Sequence, residues 1–266
     1  MSTKMSKFIF GSKNSIHIID LVQTLELANA ALAEIHKCIS SGGKILFVST
    51  KKQAAATIAN LAKDTSQFYV NHRWLGGMLT NWRTISNSIK RYKKLSKDLQ
   101  KENTGFTKKE NLKMGIQRDK LERSLGGIAD MGKVPDMIFI IDTNVEDLAV
   151  KEASKLNIPI VAIVDTNSDP TRINFPIPGN DDARRAINLY CELIKQTILD
   201  AKKNISHEDS SQPKDEIKKD LLKQEPQKKE KPKKTKPAKK TKPKTVKKIS
   251  ESILEKVKSL TGKKAN

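Results

Sequence analysis

The sequence predicts an α/β protein: a parallel sheet flanked by helices, an inserted antiparallel two-helix hairpin and a disordered basic C-terminal tail. Three observations carry this. Short, wholly apolar runs alternate with helical patterns, from KILFVST at 44–50 to IPIVAIVD at 158–165. Such runs are strands buried on both faces, the habit of parallel sheets. Between Met78 and Gly127 the strand signal vanishes and apolar residues step by three and four instead. From Ile205 onward the composition turns abruptly to lysine and proline. The implied organisation is a body over residues 1–204, with the hairpin inserted at 78–130, and a tail over 205–266.

Lys44–Thr50 is the first strand, set off by Ser41-Gly42-Gly43. KQAAATIANLA at 52–62 follows as a helix, and Gln67–Val70 is the second strand. Asp136–Asp142, opened by Pro135, is the third. Thr143 and Glu146 have capping-box spacing, which predicts a helix over 146–156. Ile158–Asp165 is the fourth strand. The closing helix, 181–203, carries Ala183, Ile187, Tyr190, Ile194 and Ile198 along one stripe.

The inserted hairpin has its own logic. Ile85, Ile89, Tyr92, Leu95 and Leu99 form the seam of a first amphipathic helix. A turn falls at Asn103–Phe106, and Thr107 with Glu110 forms a second capping-box pattern. Met114, Leu121, Leu125 and Ile128 supply the seam of the second helix, which stops at Gly126-Gly127. Two such helices pack seam to seam as a coiled coil and leave their other faces wet.

Composition sets the class of partner. Lys+Arg number 51 against 30 Asp+Glu in 266 residues, a net charge of +21. A pI near 9.8 favours polyanions. The tail holds 20 lysines and nine acids, so +11 of that charge lies in 205–266. It has too little apolar surface to order itself, and reads as an electrostatic arm or a solubilising one. Ile249, Ile253, Val257 and Leu260 alone share a helical face there, which suits either a short terminal helix docking on a partner or a marginal one that forms transiently. Cys38 and Cys191 form no CxxC pair and the four histidines are scattered, so no metal knuckle and no cofactor are expected. No apolar run approaches the ~20 residues of a membrane span. The start, MSTKMSKFIFG, lacks signal-peptide and transit-peptide features. The expectation is an intracellular polyanion binder with neither a membrane nor a small-molecule substrate as partner.

Both tryptophans lie in NHRWLGGMLTNWRT, Asn71–Thr84, where the chain leaves the sheet for the hairpin. Trp82, one turn before Ile85, reads as a wedge seating the hairpin on the body. Trp74 could do the same, or could stack on an RNA base. Arg73 and Arg83 suit phosphates. On the first hairpin helix Lys90, Arg91, Lys93, Lys94 and Lys97 make a basic run with few acids to balance it. A charge run is ordinarily just a solvated face; its one sign points to RNA phosphates. An enzyme reading competes, because ligands of open parallel sheets bind beyond the strand C-termini. Asp142 and Asp165 end two strands there, with Asp169, Asp181 and Asp182 on nearby loops. These acids equally serve as helix caps, and no GxxxxGK[ST], GxGxxG, GxSxG or HExxH pattern occurs.

GGKILFVSTKKQA, NHRWLGGMLTNWRT, SLGGIADMGKVPDMIFIIDTN and IPIVAIVDTNSDPTRINFPIPGNDDARRAI resemble the S-two family of small-subunit ribosomal proteins. The likeness runs from about Met5 to Lys203. It includes Pro135, the Ile138–Ile140 strand, Asp142, Glu146, Val150, Glu152 and Asn157-Ile158-Pro159. It implies a flavodoxin-like body with a protruding coiled coil and no catalysis. It also implies binding to small-subunit ribosomal RNA and docking of neighbouring small-subunit proteins, including the largest one. The wording and lysine tail are similar to bacterial members, which implies a cytoplasmic ribosome; an organelle-encoded copy is the alternative. The family's Gly-His and Arg-Trp-Asn-Pro stretch does not stand ahead of Met5, where only Met1–Lys4 are present, so either the contacts of that arm do not carry over or the true start lies upstream. A free RNA-binding chaperone is a third reading, distinguished by failure to co-sediment with ribosomes.

Overall fold

The structure is a computed structural model that describes residues 3–100 and 106–209. The lysine/proline tail with its terminal helix, and most of the Asn103–Phe106 turn, lie outside the described residues. Up to Lys202 the described residues form one compact unit.

Five parallel strands make the sheet, in the order β4-β3-β5-β6-β7. They are β3 (Ile45–Val48), β4 (Phe68–Val70), β5 (Met137–Ile141), β6 (Ile160–Val164) and β7 (Phe175–Pro178). Counted from β3, the order is second, first, third, fourth, fifth, consistent with a flavodoxin-like arrangement. Helices α1 (Leu21–Ser40), α2 (Ala55–Asp64), α5 (Asp147–Lys155) and α6 (Arg184–Asp209) flank it. Strands β3, β5 and β6 are buried along their whole length, as their unbroken apolar runs require. Alternate side chains serve opposite faces. Leu46, Val48, Ile138, Ile140, Ile160, Ala162 and Val164 join one core with Ala149, Val150 and Ala153 of α5. On the in-between positions, Phe47 and Phe139 meet edge to face with centroids 5.7 Å apart.

The four expected strands are present, each trimmed at one or both ends. Three strands and one α-helix went unread. An antiparallel pair, β1 (Ile9–Lys13) with β2 (Ile16–Ile19), precedes the sheet. Helix α1 follows, capped where the Asp20 side chain accepts from the Val22 amide at 3.0 Å. Its end is turned by Gly42 at φ +77°, a left-handed conformation that suits glycine. The cap and the buried series Ala31, Leu32, Ile35 and Ile39 were legible in the sequence. The edge strand β7 was not, because Pro176 and Pro178 argue against a strand unless it sits at a sheet edge.

The proposed cap at 143–146 does not form. Asp142, at φ +68°, takes the Asn144 and Val145 amides on its own carboxylate, both at 3.1 Å. Glu146 instead accepts from the Thr50 amide at 2.6 Å and ties the end of β3 to α5. Burial pushes the Glu146 carboxyl above its ordinary value. The Thr143 hydroxyl is buried with no partner among the described residues. Helix α6 likewise starts later than expected, since the Asn180 carboxamide oxygen takes the Asp182 and Ala183 amides at 2.8 Å. Ala183 is therefore exposed, while Ile187, Ile194 and Ile198 are buried.

Between β4 and β5 the chain forms α3 (Trp82–Leu99) and α4 (Lys108–Leu125), which pack on each other. The Thr107–Glu110 capping box closes as the spacing predicts, with both reciprocal bonds made. Ile85, Ile89, Leu125 and Ile128 are buried in the main core, whereas Tyr92, Leu95, Leu99, Met114 and Leu121 are half-buried. Two helices alone cannot enclose a seam, so burial fades away from the body. Ile128 belongs to a 3-10 turn, Gly126–Ile128, that brings the chain back to β4. A Cβ on Gly127 would stand 2.1 Å from the Tyr69 carbonyl oxygen, so only glycine fits.

Candidate nucleic-acid interface

The stretch Asn71–Asn81 is organised around one carboxylate. Glu152, on α5, accepts from the Trp74 indole at 3.1 Å and from the amides of Gly77 at 2.7 Å, Leu79 at 3.0 Å and Thr80 at 3.1 Å. The Thr80 hydroxyl adds a fifth bond at 3.1 Å. Gly77 adopts φ +82°, which points successive amides at one anion. The anion is the protein's own. Desolvation pushes the Glu152 carboxyl up, but the bonds from Thr80, Trp74, Leu79 and Gly77 outweigh it and hold the pKa below the ordinary value.

Trp74 is accordingly corrected. It is 7% exposed, lies in the core and spends its N–H on Glu152, so its ring is not available to an RNA base. Trp82 opens α3 and packs half-buried against the same core, the wedge that its register predicts. Both indoles seat the helical pair on the body.

The basic candidates divide by partner. Arg73 and Arg83 are exposed with no ion pair among the described residues. Arg91 donates to the Gln117 carboxamide of α4 at 3.2 Å, and Lys93 pairs with Asp130 at 2.8 Å. The first bond ties α3 to α4, and the second ties α3 to the segment after Ile128. Lys90, Lys94 and Lys97 are exposed and without an ion-pair partner among the described residues. With Arg83 they fall at spacings of seven, four and three, one stripe of α3. The sequence reading overlooked α4, whose exposed Lys108, Lys109, Lys113, Lys120 and Arg123 add to the basic surface. Interspersed acids Asp119 and Glu122 hid that series; Arg118 holds both, Asp119 at 2.9 Å through Nε and Glu122 at 4.0 Å.

At the strand C-termini the acids gather round a lysine. The Lys51 ammonium lies 3.0 Å from Asp142, 2.8 Å from Asp181 and 2.6 Å from Asp182. Asp165, Asp181 and Asp182 place ligand atoms within 4.8 Å of one another, the donor set in the described residues that could hold a metal ion. Lys51 already supplies a cation there. Asp169 stands apart, bonded to Lys4 at 2.7 Å and held down at a pKa of about 2 by that lysine and by Thr171. The arrangement sets three carboxylates around one lysine and ties the loops that carry them. No helix among the described residues is long and apolar enough to cross a membrane.

Comparison with known proteins agrees with this geometry. Residues 1–201 match the family of ribosomal protein S2. Small ribosomal subunit protein uS2 of Bartonella henselae is 58% identical over 197 residues, covering 74% of this chain and 77% of that one. The protein of the same name from Brucella ovis is 57% identical over 74% of this chain and 78% of its own. That of Sinorhizobium medicae is 55% identical over 74% and 77%. The buried Glu152 cradle, the Lys51 cluster and the basic α3 stripe thus belong to a structural, non-enzymatic protein: this chain is a member of the ribosomal protein S2 family, of the bacterial type.

Proposed function

We propose that this protein is a structural constituent of the small ribosomal subunit that binds small-subunit ribosomal RNA through backbone phosphates. The carrying observation is the stripe of Arg83, Lys90, Lys94 and Lys97, cations that the described residues leave without ion pairs on the outer side of α3. Unpaired, solvated cations on a rigid helix cost little to bring against phosphates and release counterions when they do. In this reading α3 and α4 protrude as a coiled coil, residues 205–266 act as a separate basic arm, and the protein resides on the cytoplasmic ribosome. Neighbouring small-subunit proteins, including the largest one, dock on it; the exposed Phe10, Ile16, Ile18, Leu21 and Val22 support a protein-facing surface.

The test is incorporation. Full-length protein carrying Lys90→Glu, Lys94→Glu and Lys97→Glu is expressed beside wild type and followed through sucrose gradients of cell lysate. Wild type should co-sediment with small subunits, and the variant should remain largely at the top with an unchanged melting temperature. Normal incorporation of the variant would make the stripe a merely solvated face. Wild type absent from ribosomal fractions would favour a free RNA chaperone instead.

A further inference from the structure

At the root of the helical pair, α4 stands off the body and leaves a recess against α2 and the segment after β4. It comprises two adjoining cavities of about 520 and 500 Å³ that share His72, Asp119 and Arg123. Each falls within the roughly 300–1,000 Å³ typical of small-ligand sites. Lys63, Arg73, Lys120 and Arg123 line it, and none has an ion-pair partner among the described residues. Its two acids, Asp119 and Glu122, are already engaged by Arg118. Two half-buried rings, Tyr69 and Tyr92, form part of its wall. Gly127 lines the same recess and lies close against the Tyr69 ring, where an added Cβ would come within 2.8 Å of Cδ2, and the Lys63 ammonium stands 6.0 Å from that ring's centroid.

We propose that this recess takes one unpaired nucleotide of the ribosomal RNA, its phosphates on Arg73, Lys120 and Arg123 and its base against the tyrosine wall. The proposal deepens the RNA-binding reading above and depends on it. Concavity is what separates this recess from the α3 stripe. A duplex keeps its bases stacked inside and can only lay its backbone over a convex helix. A cationic hollow walled by aromatic rings suits a base that has left the stack. Four cations against two acids that share Arg118 leave the lining net positive, which selects an anionic occupant, and the ring wall at nucleotide scale selects the nucleotide over an acidic protein segment.

The experiment uses full-length protein and two probes: a single-stranded uridylate decamer carrying 4-thiouridine, and a blunt RNA duplex of similar length. After irradiation, crosslinked peptides are mapped by mass spectrometry. Crosslinks are expected on the peptides containing Tyr69 and Tyr92, surviving competition by the duplex. They should fall by about tenfold in Lys120→Glu/Arg123→Glu and also in Lys120→Gln/Arg123→Gln, both pairs melting as wild type does. Both residues are exposed, so folding is not at stake. If the decamer is retained but crosslinks elsewhere, or is displaced equally by the duplex, the recess is not a nucleotide site, while RNA binding stands. If wild type retains neither probe, the RNA-binding reading itself fails.

Discussion

Lys51 holds together the C-terminal edge of the sheet. Burial alone would lower its pKa, but its bonds to Asp181, Asp182 and Asp142 outweigh that and raise it above the ordinary lysine value. Asp181 is pushed up by burial even with the lysine beside it. Lys51→Met would leave Asp142 and Asp181, with side chains 10% and 5% exposed, facing each other without a cation. Stranding buried charge in this way costs about 3–5 kcal/mol. The pH dependence has a definite sign. A carboxyl whose folded pKa is raised stabilises the fold below its unfolded pKa and loses that contribution as pH rises through the folded value. The deficit of the variant should therefore be largest at neutral pH and shrink in acidic buffer, as protonation of Asp181 relieves the repulsion. Urea unfolding of both proteins at the two pH values checks this, and an equal deficit at both would show that packing, not charge, is responsible.

At the scale of elements, the helical pair is only as rigid as its attachment. That attachment converges on Glu152, which fixes the loop between β4 and α3 from a different helix. Glu152→Gln keeps the shape but loses the charge and one acceptor, so several amides are left short of a partner. A cost of about 2–4 kcal/mol is expected from weakening bonds to a charged acceptor. Native-state hydrogen exchange should show the Gly77, Leu79 and Thr80 amides opening together, ahead of the strands. Because the folded pKa of Glu152 is lowered, its contribution is complete above the ordinary glutamate value and is lost as pH falls through the lowered one. Exchange confined to the hairpin tip, with the loop unchanged, would mean the backbone holds itself without the carboxylate.

For the whole molecule, charge is divided between a folded body and a lysine-rich tail. Removing everything after Asp209 preserves α6 and deletes 20 lysines against seven acids. The melting temperature of the body should move by less than about 2 °C, because that sequence lacks the apolar content of a core. Affinity for RNA should fall similarly for unrelated sequences. The log–log salt dependence should become shallower by roughly 0.7–0.9 for each phosphate that the tail no longer neutralises. A large melting shift with unchanged RNA binding would instead make the tail a tether carried by Ile249, Ile253, Val257 and Leu260.

The sequence by itself determined the fold class, because strands buried on both faces must be apolar throughout and β3, β5 and β6 are. It determined the helical insertion through the three-and-four spacing from Ile85 to Leu99, and the start of α4 through a capping box whose two partners are local. It determined the strongly basic net charge of +21, which favours polyanionic partners. Where a residue's partner is distant in the chain, the sequence was silent or misleading. Trp74 beside Arg73 looked open to a base until Glu152, 78 residues away, claimed its indole. Glu146 had the spacing of a cap but bonds to Thr50, 96 residues away. Asp142 looked free to serve chemistry until Lys51, 91 residues away, neutralised it. Only the tertiary structure decided these cases, because a buried polar group must be satisfied by whatever the fold brings within about 3 Å, and chain proximity does not determine which group that is.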